Sequence, residues 1–406
     1  MTNYNFLLDI ALILLSTKFL GLVTRKIRMP QVVGALLAGL VLGPVLHAIT
    51  KTVYMTETDF LSQLSEIGVI TLMFTAGVET DLKEMKKAGK ACFVIALIGV
   101  LVPLFAGFGL ACVFNTQPND AKASLFLQNW AIGVVLTATS VSITVETLKE
   151  LGKLSTRAGS AILGAAVIDD VLGIICLTLI TSMADASVNI GVTMLKIVAF
   201  LVLAVVIGIL FNKLFEKYQE RFNRDMRRFV IIAFAVCLIF SYCAEKFFGV
   251  ADITGAYIAG MMISNTQRAK YISARFETIN YAFLSPIFFA SVGLKVSLPN
   301  MSASLLLFAV LLAIVAILSK VVGCGLGAKI CGLTNRESVQ VGMGMISRGE
   351  VALIVASKCA TLGLMSKTIF GPVIIVVIVT TIVSPILLKL SFKDKKSDPE
   401  KKQITA

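Results

Sequence analysis

Long apolar stretches, broken by short polar or Gly/Pro clusters, recur along the whole 406-residue chain and predict thirteen membrane-crossing segments. They fall at roughly 4–23, 30–49, 60–79, 91–114, 124–147, 158–183, 192–212, 228–248, 252–265, 277–298, 302–330, 337–362 and 367–390. A helix needs about 20 mainly apolar residues to cross lipid, and a backbone there must satisfy its own hydrogen bonds. Runs of this length predict helices, because a barrel strand shows about ten residues of alternating polarity instead. The expected fold class is an all-α polytopic membrane protein. The first run, 6–23, has no basic leader before Lys18 and no A-x-A cleavage pattern, so it is expected to remain as a span.

Composition agrees: 57% of the residues are hydrophobic and 15% charged, against about 25% charged in soluble domains. The net charge of +13 looks like a nucleic-acid signal until the basic residues are placed. Of the 37 Lys and Arg residues, 27 lie in or beside alternate connections on one side, four on the other and six within spans. By the positive-inside rule the crowded side is cytoplasmic, which puts the N-terminus outside and the C-terminus inside. No nucleic-acid partner is expected. Residues 391–406 read as a short charged cytoplasmic tail with no soluble domain expected after it. The eight cysteines are scattered without a CxxC pair, and His47 is the single histidine, so neither a disulfide framework nor a histidine metal site is expected.

Two pairs of segments resemble each other. Gly34–Gly39 (GALLAG) is similar to Gly255–Gly260 (GAYIAG), and LMFTAGVETDL, ending at Leu82, is similar to FFASVGLKVSL, ending at Leu298. The members of each pair lie in spans of opposite predicted direction. That pattern predicts inverted-topology repeats, as in secondary transporters with a midplane site.

The chemistry sits where lipid tolerates it least. Asp169 and Asp170, in AAVIDDVLGI, fall near the centre of the sixth segment, where one charged side chain costs about 2.5–3.5 kcal/mol on insertion scales. Neighbouring helical residues project about 100° apart, so one carboxylate is expected to face a cavity and the other a partner helix. Lys295 is the expected salt-bridge partner, with snorkelling to the outer interface as its ordinary alternative. Two segments carry helix-unfriendly clusters at depth: Thr137, Thr139, Ser140, Ser142 and Thr144 in one, and Gly342, Gly344, Ser347, Arg348, Gly349 and Glu350 in the other. Such clusters permit unwound backbone that meets an ion. Arg348 and Glu350 are accessory candidates, with a purely structural ion pair as the alternative. Glu79, with Asp81, closes the third segment, where interfacial caps are the commoner role; Glu79 is a further accessory candidate. Glu146 is similar, and no role is assigned to Asp9.

The ordered run MPQVVGALLAGLVLGP (29–44), LSEIGVITLMFTAGVETDL (64–82), TATS (137–140), AAVIDDVLGI (165–174), FFASVGLKVSL (288–298) and SRGEVALIVA (347–356) resembles bacterial sodium/proton antiporters of the monovalent cation:proton antiporter-2 family. The resemblance implies about thirteen transmembrane helices, with the fifth and twelfth broken and crossing. It also implies a core domain (about 60–183 and 277–390) that moves as an elevator against dimerisation helices (about 1–49 and 192–265), all within residues 1–390. It implies that Asp170 is the carboxylate that binds Na⁺ or a proton, that Asp169 pairs with Lys295, and that Thr137, Thr139 and Ser140 belong to the crossing. Asp-Asp resembles the electrogenic branch. Glutathione-gated potassium relatives tend to have Gln-Asp there and a nucleotide-binding domain after the membrane part, so such gating is not expected.

The expected function is therefore secondary antiport of a monovalent cation, Na⁺ first and Li⁺ also, for protons by alternating access, in a homodimer in the bacterial inner membrane serving pH homeostasis. K⁺/H⁺ antiport is the alternative. No enzymatic activity and no cofactor are expected; the partners are the cation, the proton and the bilayer. An intramembrane aspartyl protease needs its two aspartates on separate helices, commonly as YD and GxGD, whereas here they are adjacent. A channel would need a filter such as TVGYG or a ring of charge, and neither is in the sequence.

Overall fold

Every regular element in the computed structural model is helical, and no strand occurs among the described residues, which are 5–26, 29–45, 58–80, 82–116, 121–184, 190–221, 226–294 and 302–393. In chain order the helices are α1 (Asn5–Lys26), α2 (Gln31–Leu40), α3 (Asp59–Glu79), α4 (Leu82–Phe114), α5 (Leu125–Val135), α6 (Val141–Glu150), α7 (Arg157–Ala184) and α8 (Ile190–Arg221). They continue as α9 (Arg227–Cys243), α10 (Asp252–Ser264), α11 (Ala269–Ile279), α12 (Ser285–Leu294), α13 (Ala303–Ile330), α14 (Asn335–Gly344), α15 (Gly349–Thr361) and α16 (Lys367–Phe392). Among the described residues, eight helical stretches are long and apolar enough to span a bilayer: α1, α3, α4, α7, α8, α9 with its extension to Phe248, α13 and α16. Shorter apolar helices begin at Gln31, Leu125 and Val351.

Local chemistry sets the helix ends. Thr58, Ser124, Ser302 and Ser366 each accept a backbone N–H three residues on, and Thr334 with Glu337 forms a reciprocal capping box. Hydropathy marks the membrane rather than the helix: α4 begins at Leu82, well before the apolar run expected from 91, and α8 continues to Arg221 past 212. The polar turns at those ends keep their helical hydrogen bonds outside the apolar zone.

Packing falls into two groups. In one, α4 and α13 form the most extensive pair, joined by α5, α7, α14, α15 and α16. In the other, α2 packs on α1 and α12, and α3 packs on α10, α11 and α12. The second group is held by backbone-to-backbone approaches at glycines. A side chain at Gly39 would collide with Ala290 O, and one at Gly293 with Leu36 O, locking α2 to α12. A side chain at Gly77 would collide with Tyr257 O, and one at Gly260 with Phe74 O, locking α3 to α10. Small residues give helices in lipid this van der Waals contact where no hydrophobic drive separates helix from solvent.

Two apolar segments are interrupted. Residues 136–140 separate α5 from α6, and 345–348 separate α14 from α15. A third, 269–294, stays helical but widens to an i→i+5 turn at Asn280–Leu284.

Candidate cation site

The two interruptions meet. The Ser140 N–H donates to Ser347 O at 2.7 Å, and Thr144 Oγ1 donates to Gly344 O at 2.7 Å. Helix ends normally leave four N–H or four C=O groups without partners, and in lipid such groups cannot be left bare. Here the carboxyl ends of α5 and α14 and the amino ends of α6 and α15 come together, and each break supplies partners to the other. Gly349, with φ of +47°, starts α15 in a left-handed conformation, and a Cβ there would stand 2.5 Å from Ser140 Cβ.

Arg348 braces this junction. Its guanidinium is 1% exposed and donates to Ala138 O at 2.7 Å and Ala316 O at 3.0 Å. A positive group next to the carbonyl end of α5 also opposes that helix's dipole. Ala316 is one turn from Lys320 on α13, so the brace and the intramembrane lysine share a face.

Lys320 Nζ lies 2.7 Å from Asp169 Oδ1, and both side chains are essentially fully buried. The described partner of Asp169 is therefore Lys320; Lys295, the expected partner, lies outside the described residues. Lys320 was visible in the sequence as a lysine deep within the 302–330 segment, whereas Lys295 is close to the end of its own. Depth in the span, where a free charge is least tolerated, was the usable signal.

Asp170 turns the other way. It is half-buried, and Thr254 of α10 donates to its Oδ2 at 3.4 Å. Thr254 was not singled out by sequence reasoning. It precedes Gly255 in the GAYIAG segment, which drew attention only as one half of a repeat.

The remaining candidates divide by place. Thr137 back-bonds to Val134 O at 2.7 Å, and Ser140 Oγ pairs with Ser142 Oγ at 3.1 Å, so both serve the break itself. Thr139 Oγ1, Ser347 Oγ and Asp169 Oδ2 are buried with no hydrogen-bond partner among the described residues. Buried polar atoms of this kind call for water or an ion. The Glu350 side chain and all of Asp81 lie outside the described residues. Glu79 is not at the crossing: its Oε1 accepts from Ser273 at 2.7 Å and sits 3.6 Å from Lys149 Nζ. Next to Lys149, the Glu150 carboxylate accepts from Gln31 N at 2.8 Å and Val32 N at 3.1 Å, capping α2. Burial pushes the Glu150 carboxyl above its ordinary value, while these two N–H groups pull it back. Together Glu79, Lys149 and Glu150 tie the end of α6 to helices of the other packing group.

The arrangement therefore holds one neutralised carboxylate, one half-buried carboxylate and a polar, unwound crossing, a set able to bind and release a small cation or a proton. A family model described as "Sodium/hydrogen exchanger, transmembrane" matches residues 11–393. The chain is 37% identical to the Na(+)/H(+)-K(+) antiporter GerN of Bacillus cereus, covering 97% of this chain and 98% of that one. It is 34% identical to a Na(+)/H(+) antiporter of Enterococcus hirae over 94% and 96% of the two chains. Its fold superposes on the sodium proton antiporter MjNhaP1 from Methanocaldococcus jannaschii at pH 8 with a TM-score of 0.67 and 18% identity, covering 95% and 97% of the two chains.

Proposed function

The chain belongs to the sodium/hydrogen exchanger family, and from that premise we propose that it is a secondary antiporter exchanging a monovalent cation, Na⁺ first, for protons across the membrane. The observation that carries this reading is the division of labour between adjacent carboxylates: Asp169 is neutralised by Lys320, while Asp170 turns about 100° away to a half-buried position. Asp170 binds either a proton or the cation. The loaded site crosses and the empty, charged one does not, because moving a bare carboxylate through lipid is too costly. One gradient thereby drives the other. A second proton leaves Lys320 Nζ when its pair with Asp169 rearranges, so two protons move per monovalent cation and transport is electrogenic. The activity involves no bond-making chemistry and no cofactor.

In this reading the chain crosses thirteen times, as an inverted repeat. Reciprocal glycine contacts support the repeat, since Gly39 packs by Gly293 just as Gly260 packs by Gly77. The crossing helices belong to a moving body made of α4–α7 and α13–α16. Packing supports assigning α3, α11 and α12 to the fixed scaffold with α1, α2 and α8–α10, a departure from the expected core, which included 60–79 and 277–294. The body moves as an elevator within a homodimer in the bacterial inner membrane, N-terminus outside and C-terminus inside, serving pH homeostasis. K⁺ is the second reading for the cation, prompted by the ion in the printed name of the Bacillus cereus relative.

The test is dye-reported proton movement in proteoliposomes on adding Na⁺, Li⁺, K⁺ or Rb⁺, with and without a valinomycin voltage clamp. Na⁺- and Li⁺-dependent proton release that responds to voltage is expected. Proton movement indifferent to every cation would reject the reading.

A further inference from the structure

We infer that Thr254 is a specificity-determining cation ligand, supplied to Asp170 by the scaffold and present in one orientation of the moving body only; this rests on the exchange reading above. Thr254 is 1% exposed, and its Oγ1 stands 3.4 Å from Asp170 Oδ2. Two oxygens at that spacing can both touch one small hard cation. With contacts of about 2.4 Å, as for calcium, an ion of sodium's similar size would see them at about 90°, the angle between neighbouring ligands of an octahedron. The hydroxyl can rotate, donating to the empty carboxylate and turning a lone pair to the ion when one arrives.

The spacing is held from the scaffold side. A Cβ at Gly255 would come within 2.7 Å of Phe240 O, and Gly260 has no room against Phe74 O, so α10 is fixed between α9 and α3. Asp170 rides on α7, whose neighbouring Asp169 is tied to α13 by Lys320. A larger ion stands farther from both oxygens and sees them at well under the octahedral angle unless Thr254 and Asp170 move apart against this fixed helix, and small cations are favoured for that reason. When the moving body carries Asp170 past the scaffold, Thr254 stays behind and the ion loses one ligand. Affinity then differs between the two faces of the membrane.

The experiment measures cation KM from each face separately, in proteoliposomes of uniform orientation, for T254V, T254A and T254S. Losing one hydroxyl contact of ordinary strength changes affinity about three- to tenfold. T254V and T254A are expected to raise the Na⁺ KM by that factor from one face, to leave kcat near the wild-type value, and to make K⁺ a better competitor of Na⁺. T254S, which keeps the hydroxyl, is expected to match the wild type. A wild-type Na⁺ KM in both T254V and T254A, an equal rise from both faces, or a T254S profile matching T254V would overturn the inference. D170N in the same preparation separates the two claims. Exchange persisting in D170N sinks the antiport site itself, whereas a silent D170N beside an unchanged T254V sinks the role of Thr254 alone.

Discussion

Lys320 Nζ and Asp169 Oδ1 stand 2.7 Å apart with both side chains out of water, and this pair joins α13 to α7 across 151 positions of sequence. Removing one partner of a buried pair leaves a bare charge and costs about 3–5 kcal/mol, whereas replacing both can be neutral. K320M is therefore expected to lower the thermal unfolding midpoint in detergent sharply. The D169N/K320M double variant is expected to recover most of the loss. A double variant no more stable than K320M would mean that the pair is not coupled in this way.

Gly349 allows the two breaks to meet. Its φ of +47° and the 2.5 Å approach of a Cβ to Ser140 leave no space for a methyl group. G349A is predicted to reach the membrane with near-normal yield but to lose at least about 90% of exchange, because the two breaks would part. Full activity in proteoliposomes would show that the junction is not needed for transport.

Glycine substitutions elsewhere separate packing from propensity. G77A and G260A force backbone apart between α3 and α10, and each is expected to destabilise by about 1–3 kcal/mol. Gly89, in α4, has nothing within 4 Å of an added Cβ, so G89A is expected to be neutral or stabilising by up to about 1 kcal/mol. Detergent melting curves for the three variants check the ordering.

The end of α6 is tied across the two helix groups by Lys149 with Glu79 and by Glu150 with the first N–H groups of α2. Substituting a carboxylate cap commonly costs about 0.5–2 kcal/mol. E150A, which removes the cap, is expected to shift the population of orientations severalfold away from the one described. Spin-label distances between α6 and α2 should then broaden toward a second population. Burial raises the Glu150 carboxyl in the described orientation, so protons bind more tightly there; lowering pH through the range just above ordinary carboxylates should shift the wild-type population toward that orientation and leave E150A unchanged.

Hydropathy made the helical architecture legible, because a chain in lipid has only one way to satisfy its backbone over twenty apolar residues. The chemistry was partly legible: AAVIDDVLGI stood out by its energetic cost, and the Ser/Thr and Gly clusters coincide with both interruptions. What sequence could not supply was which side chains meet. Lys295 sits in a recognisable motif and Lys320 in a plain apolar run, yet the register of α13 against α7 places Lys320 beside Asp169. Thr254 was hidden for a similar reason, since a lone threonine in a helix usually only bonds the preceding turn. Glu79 read as a cap near the interface, and its contacts with Ser273 and Lys149 at the end of α6 keep it away from the crossing.

The claim that a single carboxylate, Asp170, carries either cation or proton is tested most directly by D170N in proteoliposomes, reading Na⁺-driven proton efflux against wild type and against G89A as a folded control. The account predicts that D170N is reconstituted normally and moves no protons in response to Na⁺ at any pH. Na⁺-dependent proton efflux in D170N above the level of empty liposomes would contradict it.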